Sequence, residues 1–285
     1  MFDLILILKI IVILVATTIG AYTDYKTSYI YNWITYPLIL IGLVFLVLES
    51  FILKNPLGYV YLIKVIAIAV LIYGIGYLFY YFGKMGGGDI KLFLGMHLVL
   101  PYYAGQVTIL WLLILSSLLA VFFVSLKYSF KLIIILDFKH WRRLIFKKKH
   151  RIIWALIILF LFKLLIGYSM ITLNLSMWFY LLLIPVALGL KAAIFEEEIR
   201  KYIYLKRKKV SELEDGDVLA VDFISKSLHE KLKVKDRQVL EERDIKRIKK
   251  MNIKTIPIFD NLPRFGPYIL LGLIALLIIG KNLII

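Results

Sequence analysis

Between its basic stretches this 285-residue chain is written in apolar runs close to twenty residues long. A helix rises about 1.5 Å per residue and a bilayer core is about 30 Å thick, so such runs match a membrane crossing. Eight candidate spans follow, at about 4–22, 34–53, 59–82, 89–102, 105–126, 152–171, 177–194 and 267–285. The fourth is short, which predicts a tilted helix or a locally thin membrane. Composition agrees: 61% of residues are hydrophobic and the mean hydropathy is +0.86, whereas a soluble chain is nearer half apolar. The expected fold is an all-α polytopic membrane protein of about eight transmembrane helices. The opening run, MFDLILILKIIVILVATTIGAY, lacks a basic n-region, carries Lys9 and offers no small-x-small cleavage site. It reads as a permanent first span, not a secretory signal.

The formal net charge is +17. In a soluble protein that would point to nucleic acid. No basic motif with interleaved stacking aromatics occurs here, so nucleic acid is not an expected partner. The cations instead mark one side of the membrane. Residues 127–151 hold nine Lys/Arg and 195–266 hold eighteen, while the alternate loops carry Lys54 and little else. The positive-inside rule places 127–151 and 195–266 in the cytoplasm and, by parity, loops 23–33 and 83–88 as well.

The expected organisation is a membrane core at 1–126 that holds both Asp24 and Asp89, a basic segment at 127–151, two further spans at 152–194, a small cytoplasmic α+β domain at 195–266 and a final helix at 267–285. Segment 127–151 mixes Phe130, Trp141 and Phe146 with its cations. That suits an interfacial helix on an anionic leaflet, with membrane lipids as partners, or else a solvated linker. In the α+β domain, LEDGDVLAVDFI reads as a turn and strand, 240–251 as a charged helix and IKTIPIF as a second strand. The D-G-D there lacks the EF-hand order. With no cysteine in the chain, disulfides and thiolate metal sites are excluded.

Carboxylates are scarce outside 195–266. Of nineteen Asp and Glu, fourteen lie in that stretch. Asp3, Glu49 and Asp137 occupy a terminus, a span end and the basic segment. The remaining two, Asp24 and Asp89, sit at one depth on the cytoplasmic membrane boundary, at the end of the first span and the start of the fourth. Acids at such a depth are functional candidates. Two carboxyls a few ångströms apart can share a proton, one activating water while the other polarises a carbonyl. Asp89 follows Gly86, Gly87 and Gly88, which allow positive φ and close approach of a substrate backbone. Irregular backbone at this depth is tolerated where it lines a wet cavity.

Other readings stay open on the residues alone. Asp24 can pair with Lys26 and Asp89 with Lys91, the glycines forming an ordinary turn. Asp24, Asp89 and His97 can form a metal set, although His97 lies two turns beyond Asp89. GKMGGGD is not a P-loop, because Met follows its Gly-Lys. A proton- or cation-coupled transporter would use the same acids, but no internal repeat is visible.

At these residues the chain resembles the type IV prepilin peptidases, specifically the archaeal prepilin and preflagellin peptidases of the GxGD aspartic protease group. Gly86-Gly87-Gly88-Asp89 matches GxGD, and the flanks in FGKMGGGDIKLFLG match as far as Lys91. In DYKTSYIYNWIT, Asp24, Asn32 and Thr35 take the places of the family's first aspartate, asparagine and small polar residue; Tyr31 stands where the family has proline. The tail VSELEDGDVLAVDFI with DIKRIKKMNIKTIPIFDNLPRFGPYILLG is similar to the archaeal cytoplasmic segment and final helix. The resemblance covers 20–105 and 205–280.

It implies a multi-pass plasma-membrane aspartic endopeptidase, with Asp24 and Asp89 catalytic and Gly86, Gly87, Gly88 and Lys91 in the active-site loop. It implies no metal and no cofactor. The implied partners are precursors with class III signal peptides, cut at the cytoplasmic face. The cysteine-rich insert and N-methylation of many bacterial relatives find no support here. A presenilin-like branch expects a Pro-Ala-Leu motif, which the chain lacks.

Overall fold

The computed structural model describes residues 2–52, 58–82, 85–173, 177–224, 239–251, 253–260 and 262–282. It divides into two compact units, one built from Met1–Ser117 with Arg264–Ile285 and the other from Leu118–Val234 with Val239–Pro263.

In the first unit, α1 spans Phe2–Thr27 and α2 spans Asn32–Val47, extended by a π-turn at Leu48–Ile52. Helix α3 (Gly58–Tyr81) and the short α4 (Gly87–Val99) follow. A two-residue hairpin of β1 (Tyr102–Tyr103) and β2 (Gln106–Val107) leads into α5 (Thr108–Ile135). The unit closes with the C-terminal helix, Gly266–Asn282.

Helix α4 is the hub. Ile90, Leu92, Phe93, Met96, His97, Leu98 and Val99 are all buried, so it is enclosed on every side. A helix apolar all round needs such an enclosure. Its core partners come from α1 (Ile13), α2 (Leu38) and the C-terminal helix (Ile269, Leu273). By contrast Leu40 and Val44 of α2 and Ile63 and Val70 of α3 are exposed, as suits a surface turned to lipid. Lipid tails give helices no hydrophobic reason to associate, so the packing relies on close backbone approach. A methyl group at Gly42 would lie 2.6 Å from Leu98 Cβ, one at Gly95 2.8 Å from the Leu38 side chain, and one at Gly76 2.7 Å from Ile90 Cγ2.

Among the described residues five helices are long and apolar enough to cross a membrane: Leu4–Thr27, Asn32–Phe51, Gly58–Tyr81, Thr108–Ile135 and Lys149–Thr172. The other three anticipated spans are shorter. The fourth is α4, whose 13 residues extend about 20 Å; the last two are the apolar helices Tyr180–Ile194 and Gly266–Gly280.

The cation inside the first span has a partner. Lys9, 3% exposed, is ion-paired with Glu49 at the end of α2, and the Tyr61 hydroxyl of α3 donates to Glu49 Oε2 at 2.8 Å. One charge pair thereby ties three helices together at the end of α1 opposite Asp24.

In the second unit α5 runs on to Ile135, beyond the expected span end at 126. Lys127 and Lys131 do not interrupt it, because a lysine stem can lie along apolar surface and carry its charge outward. Helix α6 (Phe138–Lys147), α7 (Lys149–Leu173), a 3₁₀ segment (Met177–Leu182), α8 (Leu183–Ile194), α9 (Glu196–Ile199) and a π-turn (Arg200–Tyr204) follow. Tyr128, Leu132, Leu136, Phe195 and Ile199 form one core.

A three-stranded antiparallel sheet has the order β3 (Leu205–Lys209), β5 (Thr255–Phe259), β4 (Val218–Leu219), with α10 (Glu242–Lys249) preceding β5. Leu219, Ile248, Ile256 and Ile258 make its core. The helix expected at 240–251 is α10 and the strand expected in IKTIPIF is β5. LEDGDVLAVDFI contributes only two strand residues before a 3₁₀ turn at Val221–Phe223. Strand β3 was not anticipated: four of its five residues are Lys or Arg, the charged dress of an edge strand.

The Lys9–Glu49 pair generates a stability prediction. Glu49→Leu alone leaves a buried ammonium without its partner and is expected to cost about 3–5 kcal/mol. Adding Lys9→Met removes the stranded charge and should recover most of that loss. Reversible unfolding of the purified variants in mixed micelles measures both steps.

Candidate active site

Helix α1 and helix α4 pack antiparallel. The Thr17 hydroxyl meets Met96 Sδ at 3.7 Å, and one turn further a methyl at Gly20 would sit 3.6 Å from Leu92 Cδ2. Extending this register by one more turn of each helix sets Asp24 opposite Asp89. Asp89 is accordingly within electrostatic range of the Asp24 carboxylate. Both anticipated acids therefore share one end of one helix pair. Asp24 is buried, at 7% exposure, and Asp89 is half-buried.

Each carboxylate is held by a backbone amide. Asp89 is the third residue of α4, and its Oδ2 accepts from the Gly86 N–H at 3.2 Å, the return half of a helix-capping arrangement. Asp24 Oδ2 accepts from the Gly266 N–H at 2.8 Å, across 242 residues of sequence. Arg264 lies within electrostatic range of Asp24, its guanidinium 5.7 Å from the Tyr25 ring centre. Phe265 packs on Phe93 of α4 with ring centres 6.1 Å apart. The start of the C-terminal helix is thus threaded between α1 and α4.

The three glycines before Asp89 do different things. A side chain at Gly86 would come within 2.9 Å of Asp89 Oδ2, and one at Gly88 within 2.7 Å of the Ile30 carbonyl oxygen. At Gly87 the nearest atom is Tyr80 Cε2 at 3.6 Å, an ordinary contact. Glycine allows positive φ, but none of the three uses it; the positive-φ glycines among the described residues are Gly105 and Gly216. What positions 86 and 88 require is space, not a left-handed backbone. The left-handed residue here is Ser28 (φ 62°), which ends α1 with its N–H on the Asp24 carbonyl at 2.9 Å. Gly83 and Lys84, on the flank of the motif, lie outside the described residues.

Lys91 does not pair with Asp89. Its ammonium donates to Asn32 Oδ1 at 2.8 Å and to the Tyr36 hydroxyl at 3.4 Å, over the Tyr36 ring. It therefore ties α4 to the start of α2. Lys26 likewise turns to the Tyr22 ring, 4.8 Å away, rather than to Asp24. Among the described residues neither aspartate is in a salt bridge, which disposes of the simple ion-pair reading. His97 is fully buried with Nε2 3.1 Å from the Val65 carbonyl, directed at α3 and away from the acids. Thr35 is buried beneath the start of α2.

Gly266 is the residue that sequence reasoning missed. Its signal was present in PRFGPYILLG, where a glycine directly precedes the proline at the start of a helix. A methyl group there would lie 2.9 Å from Asp24 Cβ, 3.0 Å from Asp24 Oδ2 and 3.3 Å from Ala21 Cα.

Residues 11–125 match the model of the type IV leader peptidase family. That segment holds both aspartates, the three glycines and Lys91; it leaves out α6 to α10 and the C-terminal helix. No curated protein and no solved structure gives a significant match to the chain. Through the segment that carries both acids, the chain is similar to the type IV leader peptidase family.

Proposed function

We propose that the chain is a membrane aspartic endopeptidase that removes short basic class III signal peptides from pilin-like precursors, archaellins among them, at the cytoplasmic face of the plasma membrane. The observation that carries the reading is the antiparallel register of α1 and α4, which sets Asp24 and Asp89 at one end of the helix pair and within electrostatic range. The fit to the substrate is physical. A precursor of this class holds its hydrophobic helix in the bilayer and its basic leader in water, so the scissile bond lies at the water–lipid border. The two acids end their helices at a comparable border, and the parity of loop charge favours the cytoplasmic side for it.

In the reaction, the ionised carboxyl takes a proton from water as the oxygen attacks the scissile carbonyl carbon. The protonated carboxyl gives its proton to the carbonyl oxygen, producing a neutral gem-diol. The newly ionised carboxyl then takes one proton back from the diol while the other carboxyl delivers the proton it took from water to the leaving nitrogen, and the C–N bond breaks. The products are a free carboxyl on the leader and a free amine on the mature protein, with the pair restored to one proton. Gly86 and Gly266 keep the two carboxylates aimed while protons move. Lys91, anchored on Asn32 and Tyr36, serves the frame around the acids rather than the proton transfers.

Two measurements test this. With a leader-bearing pilin precursor in the same membranes, Asp24→Asn and Asp89→Asn are each expected to slow cleavage about 10²–10⁴-fold without loss of protein. Normal processing by either variant sinks the reading, and cleavage mapped inside the precursor's apolar helix would move it to the presenilin-like branch. A second comparison isolates the glycines. Gly87→Ala should process at close to the parent rate, while Gly88→Ala and Gly266→Ala should lose most activity; equal tolerance at all three positions contradicts the steric assignment.

A further inference from the structure

Helix α6 (Phe138–Lys147) lies outside the family-matched segment, and the peptidase reading makes no use of it. It joins α5, which ends at Ile135, to α7, which begins at Lys149. Both neighbours are long and apolar enough to cross a membrane. Only residues 136–137 and residue 148 intervene. At about 3.3–3.6 Å per extended residue, linkers this short keep α6 within a few ångströms of the ends of both spans. Its surroundings are therefore the headgroup layer.

Its faces divide into three. Trp141 and Leu144 pack on the core of Tyr128, Leu132, Leu136, Phe195 and Ile199, with Trp141 and Phe195 ring centres 5.1 Å apart. Directly after α6, the buried Lys148 binds Glu198 and donates to the Ile194 carbonyl at 2.8 Å, which fixes the rotation of the helix. A second sector is apolar and bare: Phe138 is 85% exposed, Phe146 66% and Ile145 48%. These residues flank a shallow groove of about 270 Å³ completed by Trp141 and Arg142. The third sector carries Lys139, Arg143 and Lys147. Among the described residues, none of these three is in a salt bridge.

We propose that α6 is a docking surface for an anionic phospholipid bilayer, in which Phe138, Ile145 and Phe146 enter the acyl boundary while Lys139, Arg143 and Lys147 bind lipid phosphates. Three observations select this occupant. The tethers hold the face at bilayer depth, and the basic sector complements anionic headgroups. A ten-residue helix is about 15 Å long, so one sector of it offers far less than the roughly 800 Å² per partner of a standard protein interface. The bare apolar surface also continues onto α5, where Phe130 and Ile134 are exposed.

The absence of cysteine makes the test direct. Single-cysteine variants Phe146→Cys and Arg143→Cys of the full chain are spin-labelled and placed in bilayers of phosphatidylcholine with phosphatidylglycerol. Collisional accessibility to oxygen and to a water-soluble nickel chelate is read by power saturation. The label at 146 is expected to be open to oxygen and shielded from nickel, and the label at 143 the reverse. Adding Lys139→Glu and Lys147→Glu to the 146 variant should raise its exposure to nickel. Free access of nickel to position 146 in the parent overturns the proposal, since the face is then in water. Shielding of position 146 from both reagents also overturns it, because protein, whether a second copy or another partner, then covers the face. An unchanged depth after charge reversal overturns the anionic-headgroup assignment. None of these readouts depends on peptidase activity.

Discussion

Close approach of helix backbones around α4 is the constraint on which the first unit depends. Enclosed by α1, α2, α3 and the C-terminal helix, α4 gains little from the hydrophobic effect in a lipid setting and much from van der Waals contact. Gly42, Gly76 and Gly95 are therefore packing devices, each at a point where one methyl group would collide with a neighbouring helix. The same logic reaches the site itself: Gly88 seats the start of α4 on the backbone of Ile30, which brings Asp89 into register with α1. Placement of the two acids and packing of the helices are one problem here.

The two acids are held by unlike means. Asp89 is fixed locally, by an amide three residues upstream in its own cap. Asp24 is fixed at long range, by the first amide of a helix that begins 242 residues later. The family match stops at residue 125, so the matched segment holds both carboxylates but only one of their two amide partners. Lys9 and Glu49 serve the opposite end of the same bundle, where a buried charge pair with a tyrosine hydroxyl joins α1, α2 and α3.

Much of this was legible in the sequence because membrane chains write their constraints plainly. Apolar run length marked the helices, and the scarcity of carboxylates outside 195–266 singled out Asp24 and Asp89. Parity of loop charge placed the two at one depth, and the structure sets them at one end of a helix pair. Legibility failed where a residue's role is fixed by distant neighbours. Gly86 and Gly88 invited a backbone argument from local sequence, whereas their meaning lies in contacts with Asp89 Oδ2 and Ile30. Lys91 looked like a partner for Asp89 two residues away, yet at that spacing on a helix the two side chains diverge, and it reaches Asn32 on another element. Strand β3 was hidden by its lysines and arginines, and the far end of α5 by lysines that mimic a loop.

The bond from Gly266 to Asp24 also has a consequence in time. Ribosomes release the first helices into the membrane while the helix that begins at Gly266 is still unmade, so a nascent chain can assemble α1 against α4 but cannot yet supply the amide that aims Asp24. Completion of the site is thereby tied to synthesis of the helix that begins at Gly266. A truncated or half-inserted chain carries both carboxylates with one of them unaimed.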